Sequence, residues 1–461
     1  MKHRQLRAAL GVLACVLTAL LYQQTLDHPF VFDDRAAVLL NPSLIDAWSL
    51  RAALLLNPAR SVVNLSFALD RAFWGFSSFG YHITNGILHV AVVGLFFGFC
   101  TRALADARPR DQGTRDQGTR DQGTRDQGTD WPAFFAAAVF GVHPLMSSTV
   151  LYVAARSDLL CAAGFLLALI VARRAIASSS AAAGLCAVMC GLFALASGPA
   201  AAGLPIVVLA FDAWILRDRG WRRRATRVYV PAMAAIAVAG AWQARAVLGA
   251  NRVPPRGLFA NLLTESVVIW RYVRLLVAPY GQSMIHDVHW ARSPVDPLGV
   301  CAIALLAISI VAAVRIRHAR PLVAFGVVWF AAALAPTSTI FPLRDAMSEP
   351  RAYLAAAGLF LAAASMLAHP LASSRVARAI AVGALVLCGA STLARTRVWD
   401  DPLALWKEAI DRAPGSWQAH LGYADALREV DQCGPAKEEY RTALRLYPAN
   451  ADARSGLERC P

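Results

Sequence analysis

Two adjacent aspartates with an arginine beside them, FVFDDRAAVLLNP (residues 30–42), follow directly on an apolar segment. Such a doublet either starts a solvated loop or works on a substrate, with a carboxylate taking a proton from a nucleophile. Other ionisable residues gather at the ends of apolar runs. Arg60 and Asp70 follow the doublet, then His143, Arg156 and Asp158. Glu265, Arg271, Arg274, His286, Asp287 and His289 come next, then Asp345, Glu349, Arg351 and Tyr353. Ionisable groups at membrane depth are costly and usually serve a purpose. Arginines sharing one face with carboxylates suit a site that holds an anionic phosphate while a carboxylate acts as base. Two histidine groups need a different reading. His82, Asn85 and His89 share a helical face and suit interhelical hydrogen bonds. His286, Asp287 and His289 lack the spacing of a zinc helix motif. No metal site is assigned, and a divalent-metal requirement stays open.

These residues are positioned by membrane helices. The chain has 461 residues, 57% hydrophobic and 16% charged, with mean hydropathy +0.46. Apolar runs recur that are long enough to cross a hydrocarbon core of roughly 30 Å. They lie near 8–23, 84–102, 132–147, 157–173, 181–197, 200–216, 228–247, 297–314, 321–342, 351–369 and 379–395. The basic N-terminus and long first run read as a retained span rather than a cleaved signal peptide. The net charge of +15 comes mostly from the ends of these runs. That is a topology signal and leaves no basic domain for nucleic acid. The clusters RDRGWRRRATR (217–227) and RIRHAR (315–320) both belong inside. An even number of crossings must therefore separate them. The stretch within 255–295 that carries Glu265, Arg271 and Arg274 is then an outer amphipathic or re-entrant segment. Eleven spans follow, with the N-terminus inside, the C-terminus outside and the polar residues above on the outward side. The first outer loop is 24–83. Residues 110–129, four copies of RDQGT, sit in a cytoplasmic loop (105–130) too polar to bury a core.

Residues 1–396 form this membrane unit, and 397–461 change character. WQAHLGYADALREVDQCGPAKEEYRTALRLYP fits one tetratricopeptide unit. Trp406, Ala409 and Pro414 repeat Tyr440, Ala443 and Pro448 at the unit's 34-residue period. An array this short needs a neighbour, so it should dock on the membrane unit or a partner. Seven of the nine cysteines lie in apolar runs. Cys433 and Cys460 fall at the same end of the repeat stack, and with the tail outside a disulfide between them is expected.

Five motifs occur in an order that resembles the transmembrane-and-tetratricopeptide-repeat family of GT-C glycosyltransferases, which are similar to protein O-mannosyltransferases. They are HPFVFDDRAAVLLNP, NLSFALDRAFWGFSSFGYHITNGILH, AAVFGVHPLMSSTVLYVAARSDLL, WRYVRLLVAPYGQS and LAPTSTIFPLRDAMSEPRAYL. The resemblance covers nearly the whole chain except RDQGT. It implies inverting transfer of a sugar from a polyprenyl- or dolichyl-phosphate donor to a hydroxyl on the outer face. By motif, the base is one of Asp33 and Asp34. Adjacent carboxylates on a helix or strand cannot both point at one place, so one acts and the other orients it or binds sugar; Asp34 is preferred. Arg156 and Arg351 match family arginines and are expected, with Arg60, to hold the leaving phosphate. His143, Asp158, Glu349 and Tyr353 are expected to line the cavity. Two departures stand out: Gly198-Pro199 replaces a Lys-Glu pair at the outer end of span five, and Arg60-Ser61 replaces an arginine-proline.

The expected protein is thus an all-α polytopic glycosyltransferase with about eleven spans and a repeat tail. Its acceptor is protein Ser/Thr, presented or recognised by the tail. The short array and the Ala- and Arg-rich composition point to a bacterial inner membrane, with the tail periplasmic. Two alternatives stay open: a catalytically silent scaffold whose repeats recruit a partner, and a transferase acting on a cell-envelope glycolipid.

Overall fold

The computed structural model describes residues 2–44, 60–108, 129–249, 257–338 and 345–460. The RDQGT copies fall outside these residues, apart from Thr129. Among the described residues all regular elements are helical. In the membrane unit they are α1 (Lys2–Tyr22), α2 (Ser61–Trp74), α3 (Ser78–Asp106), α4 (Asp130–Val142), α5 (Pro144–Leu151), α6 (Arg156–Ser178), α7 (Ala181–Ser197) and α8 (Leu204–Phe211). There follow α9 (Trp221–Arg224), α10 (Val230–Gly249), α11 (Leu258–Val277), α12 (Pro297–Ile316), α13 (Pro321–Leu334), α14 (Ala352–Met366), α15 (Ala368–Ser373) and α16 (Arg375–Asp400). The tail contributes α17 (Pro402–Arg412), α18 (Trp417–Glu429), α19 (Cys433–Leu446) and α20 (Ala451–Arg459).

Six helical stretches are long and apolar enough to cross a membrane, and seven if the bent pair α4–α5 counts as one. This is an integral membrane protein. The 55° bend between α4 and α5 has a local cause. Pro144 has no N–H to donate to α4 and forces His143 into extended backbone (ψ 133°). It then opens α5 at a position where no donor is required. Helices α7 and α13 are apolar but shorter. Large apolar side chains on α7 (Leu185, Val188, Met189), α12 (Ile308, Val311) and α16 (Val386, Leu387) face outward, as lipid-facing side chains must. Inside, Phe96, Phe99, Phe165, Phe211, Phe325 and Trp329 are buried together. Two glycines let α13 and α14 touch: a Cβ on Gly326 would lie 2.2 Å from the Gly358 carbonyl oxygen.

The amphipathic stretch becomes α11. One face buries Asn261, Thr264, Glu265, Ser266 and Tyr272. Trp270 donates its indole N–H to the Ala302 carbonyl on α12 (3.0 Å). Residues 278–296 then return without a helix across the end of the unit.

Helix α16 runs through residue 396 to Asp400, so the turn into the tail falls at Asp401. Asp401 caps α17, accepting from the Leu403 N–H at 2.9 Å, with Pro402 in the first turn. Ser416 and Asn450 cap α18 and α20 in the same way. Packing repeats at the interval of the sequence pattern. Trp406 lies over Gly422 and Tyr440 lies over Gly456, and a Cβ on either glycine would come within 2.4 Å of the ring. Cys433, at the start of α19, is bonded to Cys460, just after α20, with Cα atoms 5.3 Å apart.

The tail is docked on the membrane unit. Phe32 meets Trp406 edge-on (5.4 Å between centroids). Arg395 pairs with Glu408, Arg35 with Glu429, and Arg412 donates to the Gln282 carbonyl. Gln418 donates to Asp345 Oδ1 at 2.6 Å. These contacts cover one side of the tail helices.

Candidate active site

Between the docked tail and the membrane unit lies a cleft of about 600 Å³. Its walls come from five parts of the chain: Phe32 and Asp33; Ser148 and Tyr152; residues 283–288 with Trp290; residues 345–351; and, from α16 and the tail, Trp399, Trp417 and Gln418. Sequences this far apart meet only because the 278–296 return and the tail both fold over one end of the helices.

The aspartate doublet is split by its backbone. Phe32 has φ +52°, a left-handed conformation that is strained for a bulky side chain. It is held between Tyr152 (6.3 Å, stacked) and Trp406. The chain reverses there, and the Asp34 N–H donates to the Val31 carbonyl (3.0 Å). Asp33 is exposed and lines the cleft, whereas Asp34 is fully buried. Both Asp34 oxygens accept backbone N–H groups, Oδ2 from Val31 (3.1 Å) and Oδ1 from Ala154 (2.6 Å). The sequence favours Asp34 for chemistry; the structure sets it behind the cleft wall, tying the loop after α1 to the turn before α6.

Burial lifts the Asp34 carboxyl from 3.8 to about 7, against the N–H groups of Val31, Ala154 and Val153 and with a smaller push from the Asp33 charge. Because the folded value is raised, the native state binds the extra proton between these two values. The contribution to stability is full below about pH 4 and is lost as pH rises to about 7. Asp34→Asn should therefore flatten the pH dependence of thermal unfolding between pH 4 and 7, by up to a few kcal/mol across the window. An unchanged slope would contradict this assignment.

Ala154 is clamped from both sides, because Arg60 donates to its carbonyl at 3.2 Å. Asp158, one turn into α6, lies within electrostatic reach of both Arg351 and Arg60. Arg351 lines the cleft and anchors itself on the carbonyls of Asp345 (2.8 Å) and Ala346 (3.3 Å). Arg60, Asp158 and Arg351 are thus brought together, with Arg351 bridging that group to the cleft. Glu349 also lines the cleft but is buried. It accepts from the Ser283 N–H (2.9 Å), meets His286 Nε2 (3.0 Å) and takes a longer bond from Gln282 (3.4 Å). Its work is to fold residues 282–286 into one wall.

Three expected site residues lie elsewhere. Arg156 is fully buried and committed within the protein. It pairs with Asp70 (2.6 Å), donates to Asn85 Oδ1 (2.8 Å) and the Tyr81 carbonyl (2.9 Å), and stacks over Phe67 (4.5 Å). A guanidinium so engaged joins α2, α3 and α6 and has no face toward the cleft. His143 is also satisfied at both nitrogens: Nδ1 accepts from the Leu145 N–H (3.2 Å) and Nε2 meets the Leu276 carbonyl (3.1 Å). Tyr353 is buried in the core with its hydroxyl against His89 Nδ1 (2.6 Å). Gly198, one of the residues replacing the family's charged pair, packs against Cys161 and is not on the cleft wall.

Sequence reasoning did not place Tyr152, Ser283, Trp399, Trp417 or Gln418 in a site. Of these, only Trp417 had a place in the sequence pattern, as the first position of the 34-residue unit. Among the described residues no group of histidine, cysteine and acidic side chains could hold a metal ion.

Comparison with known proteins gives distant relatives of one kind. Protein O-mannosyl-transferase TMTC1 of Homo sapiens is 23% identical over 523 aligned positions, covering 98% of this chain and 56% of the relative. Protein O-mannosyl-transferase TMTC2 of Mus musculus is 28% identical over 166 residues, 32% of this chain and 17% of the relative. The Xenopus laevis tmtc2 protein is 33% identical over 105 residues, 19% of this chain and 12% of the relative. The chain thus spans about half the length of the human TMTC1 relative and less of the others. No family model and no solved structure matches.

Proposed function

We propose that this protein is a GT-C-type membrane glycosyltransferase that moves a sugar from a polyprenyl-phosphate donor to a protein serine or threonine hydroxyl on the outer face, with inversion. The observation that carries the reading is that Asp33 and Arg351 share one cleft, while Asp34 is anchored behind it. In the reaction the acceptor oxygen bonds to the anomeric carbon of the sugar as the bond from that carbon to the phosphate oxygen breaks. The acceptor proton passes to the Asp33 carboxylate. The negative charge gained by the leaving lipid phosphate is met by Arg351, with Arg60 in the layer behind. Asp34 is a positioning residue. The distant likeness to proteins named O-mannosyl-transferases supports mannose and a protein acceptor.

The topology that fits has eleven crossings, an inner N-terminus and the tail outside, in a bacterial inner membrane. Each of the eleven apolar runs includes helical backbone, although in the run 321–342 the helix ends at Leu334 and residues 339–342 lie outside the described ones. The tail, read as tetratricopeptide repeats, forms one wall of the cleft and receives the polypeptide acceptor there. The scaffold reading rests on Gly198-Pro199, and the position of Gly198 away from the cleft wall weakens it. A glycolipid acceptor uses the same chemistry.

The test is a donor panel with purified full-length protein and a membrane-protein extract. Label should pass to protein from polyprenyl-phosphate mannose and not from a nucleotide sugar. Transfer from the nucleotide sugar alone would overturn the donor class, and binding of neither would leave the scaffold reading.

A further inference from the structure

Trp399 and Ser283 line the cleft, and each holds a polar group that meets no protein partner. Trp399 is 2% exposed and Ser283 3%, and neither the indole N–H nor the Ser283 hydroxyl has a hydrogen-bond partner. Buried donors in native proteins are nearly always satisfied, and an exception calls for a specific reason. Their neighbours on the same walls do have partners. Glu349 is bonded to Ser283 N–H and His286, Gln418 to Asp345, and Arg351 to two carbonyls. Within an otherwise well-bonded cleft, these two donors and the Tyr152 hydroxyl are the exceptions among the described residues.

The surroundings identify the ligand class. Trp399 lies beside Tyr152 (6.4 Å between centroids), which stacks on Phe32, the residue before Asp33. Trp290 and Trp417 complete an aromatic lining. Apolar ring faces next to isolated donors fit a molecule that has C–H faces and hydroxyl oxygens together, as a sugar ring does. A polyprenyl tail would need no donors, and a phosphate would be met by Arg351, on another segment of the same wall, rather than by two neutral donors. We propose that Trp399 Nε1 and Ser283 Oγ are the hydroxyl-recognising groups of the sugar subsite, placing the ring over the Phe32–Tyr152–Trp399 wall with its reacting carbon toward Asp33. Both groups are shielded from water, so ligand entry brings a small side-chain rotation with it. This inference rests on the transferase reading above.

The test uses full-length protein in detergent with two probes, polyprenyl-phosphate mannose and polyprenyl phosphate without sugar. Trp399→Phe keeps a ring and deletes the N–H; Ser283→Ala deletes the hydroxyl. Each variant should bind the mannosyl lipid about tenfold more weakly, the loss expected for one hydrogen bond, and bind the sugar-free lipid as wild type does. Ser283→Ala should leave the melting temperature unchanged, because it removes only an unsatisfied hydroxyl, whereas Trp399→Phe also removes buried ring volume and should lower it modestly without affecting the sugar-free probe. Variants that bind both probes like wild type, or lose both equally, would overturn the inference while leaving the transferase reading intact. Wild type that binds the mannosyl lipid no better than the sugar-free lipid would overturn the sugar subsite and count against the transferase reading as well.

Discussion

Replacing Asp33 with asparagine is expected to lower sugar transfer by about 10²–10⁴-fold while leaving the fold and donor binding unchanged. General-base catalysis is worth that much when the base is correctly placed, which corresponds to roughly 3–5 kcal/mol of barrier. Asp33 is exposed on the cleft wall, and asparagine preserves its shape and an oxygen that can still accept a hydrogen bond. Asp34→Asn should behave differently. Asp34 accepts from both Val31 and Ala154, and an asparagine amide can accept from only one of them through its oxygen. That variant should lose some activity because the turn before α6 shifts, and its unfolding profile should change. Measuring initial transfer rate and melting temperature for both variants separates the acting carboxylate from the positioning one. Equal rate losses with equal loss of stability would remove the distinction.

Replacing Arg156 with methionine is expected to destabilise the membrane unit by about 3–5 kcal/mol. The guanidinium is fully buried and is the partner of Asp70, itself 6% exposed. Removing it strands a buried carboxylate and frees Asn85 and the Tyr81 carbonyl at the junction of α2, α3 and α6. The check is thermal unfolding in detergent, followed by the yield of monodisperse protein. Pairing the change with Asp70→Leu should recover part of the loss, since a missing ion pair costs less than a broken one. A stable Arg156→Met protein that had lost donor binding would instead return Arg156 to the phosphate.

The contrast between these two residues explains what could be read from the sequence. Helices were legible because apolar runs and basic ends are local signals, and α16 or α3 needs no partner to be recognised. The tail's period was legible for the same reason, since Trp406 and Tyr440 recur at a fixed interval. Side-chain partners were not. Arg156 and Asp70 sit far apart in the chain, and an arginine at a helix start looks the same whether it meets a ligand or another helix. The split of the doublet depends on left-handed Phe32, which carries no glycine to announce it. Asp33, Glu349 and Arg351 stand out in the sequence as ionisable residues at the ends of apolar runs, which is again a local signal. The tail's share in the cleft required the docking through Arg412, Gln418 and Trp406, which no local pattern encodes.

The most direct measurement of the central claim is transfer of radiolabelled mannose from polyprenyl-phosphate mannose to a serine- and threonine-containing peptide by the purified full-length protein, with Asp33→Asn as the matched blank. The account predicts peptide labelling by wild type and a loss of at least about a hundredfold in the variant, with donor affinity retained. Equal labelling by the two proteins would contradict it.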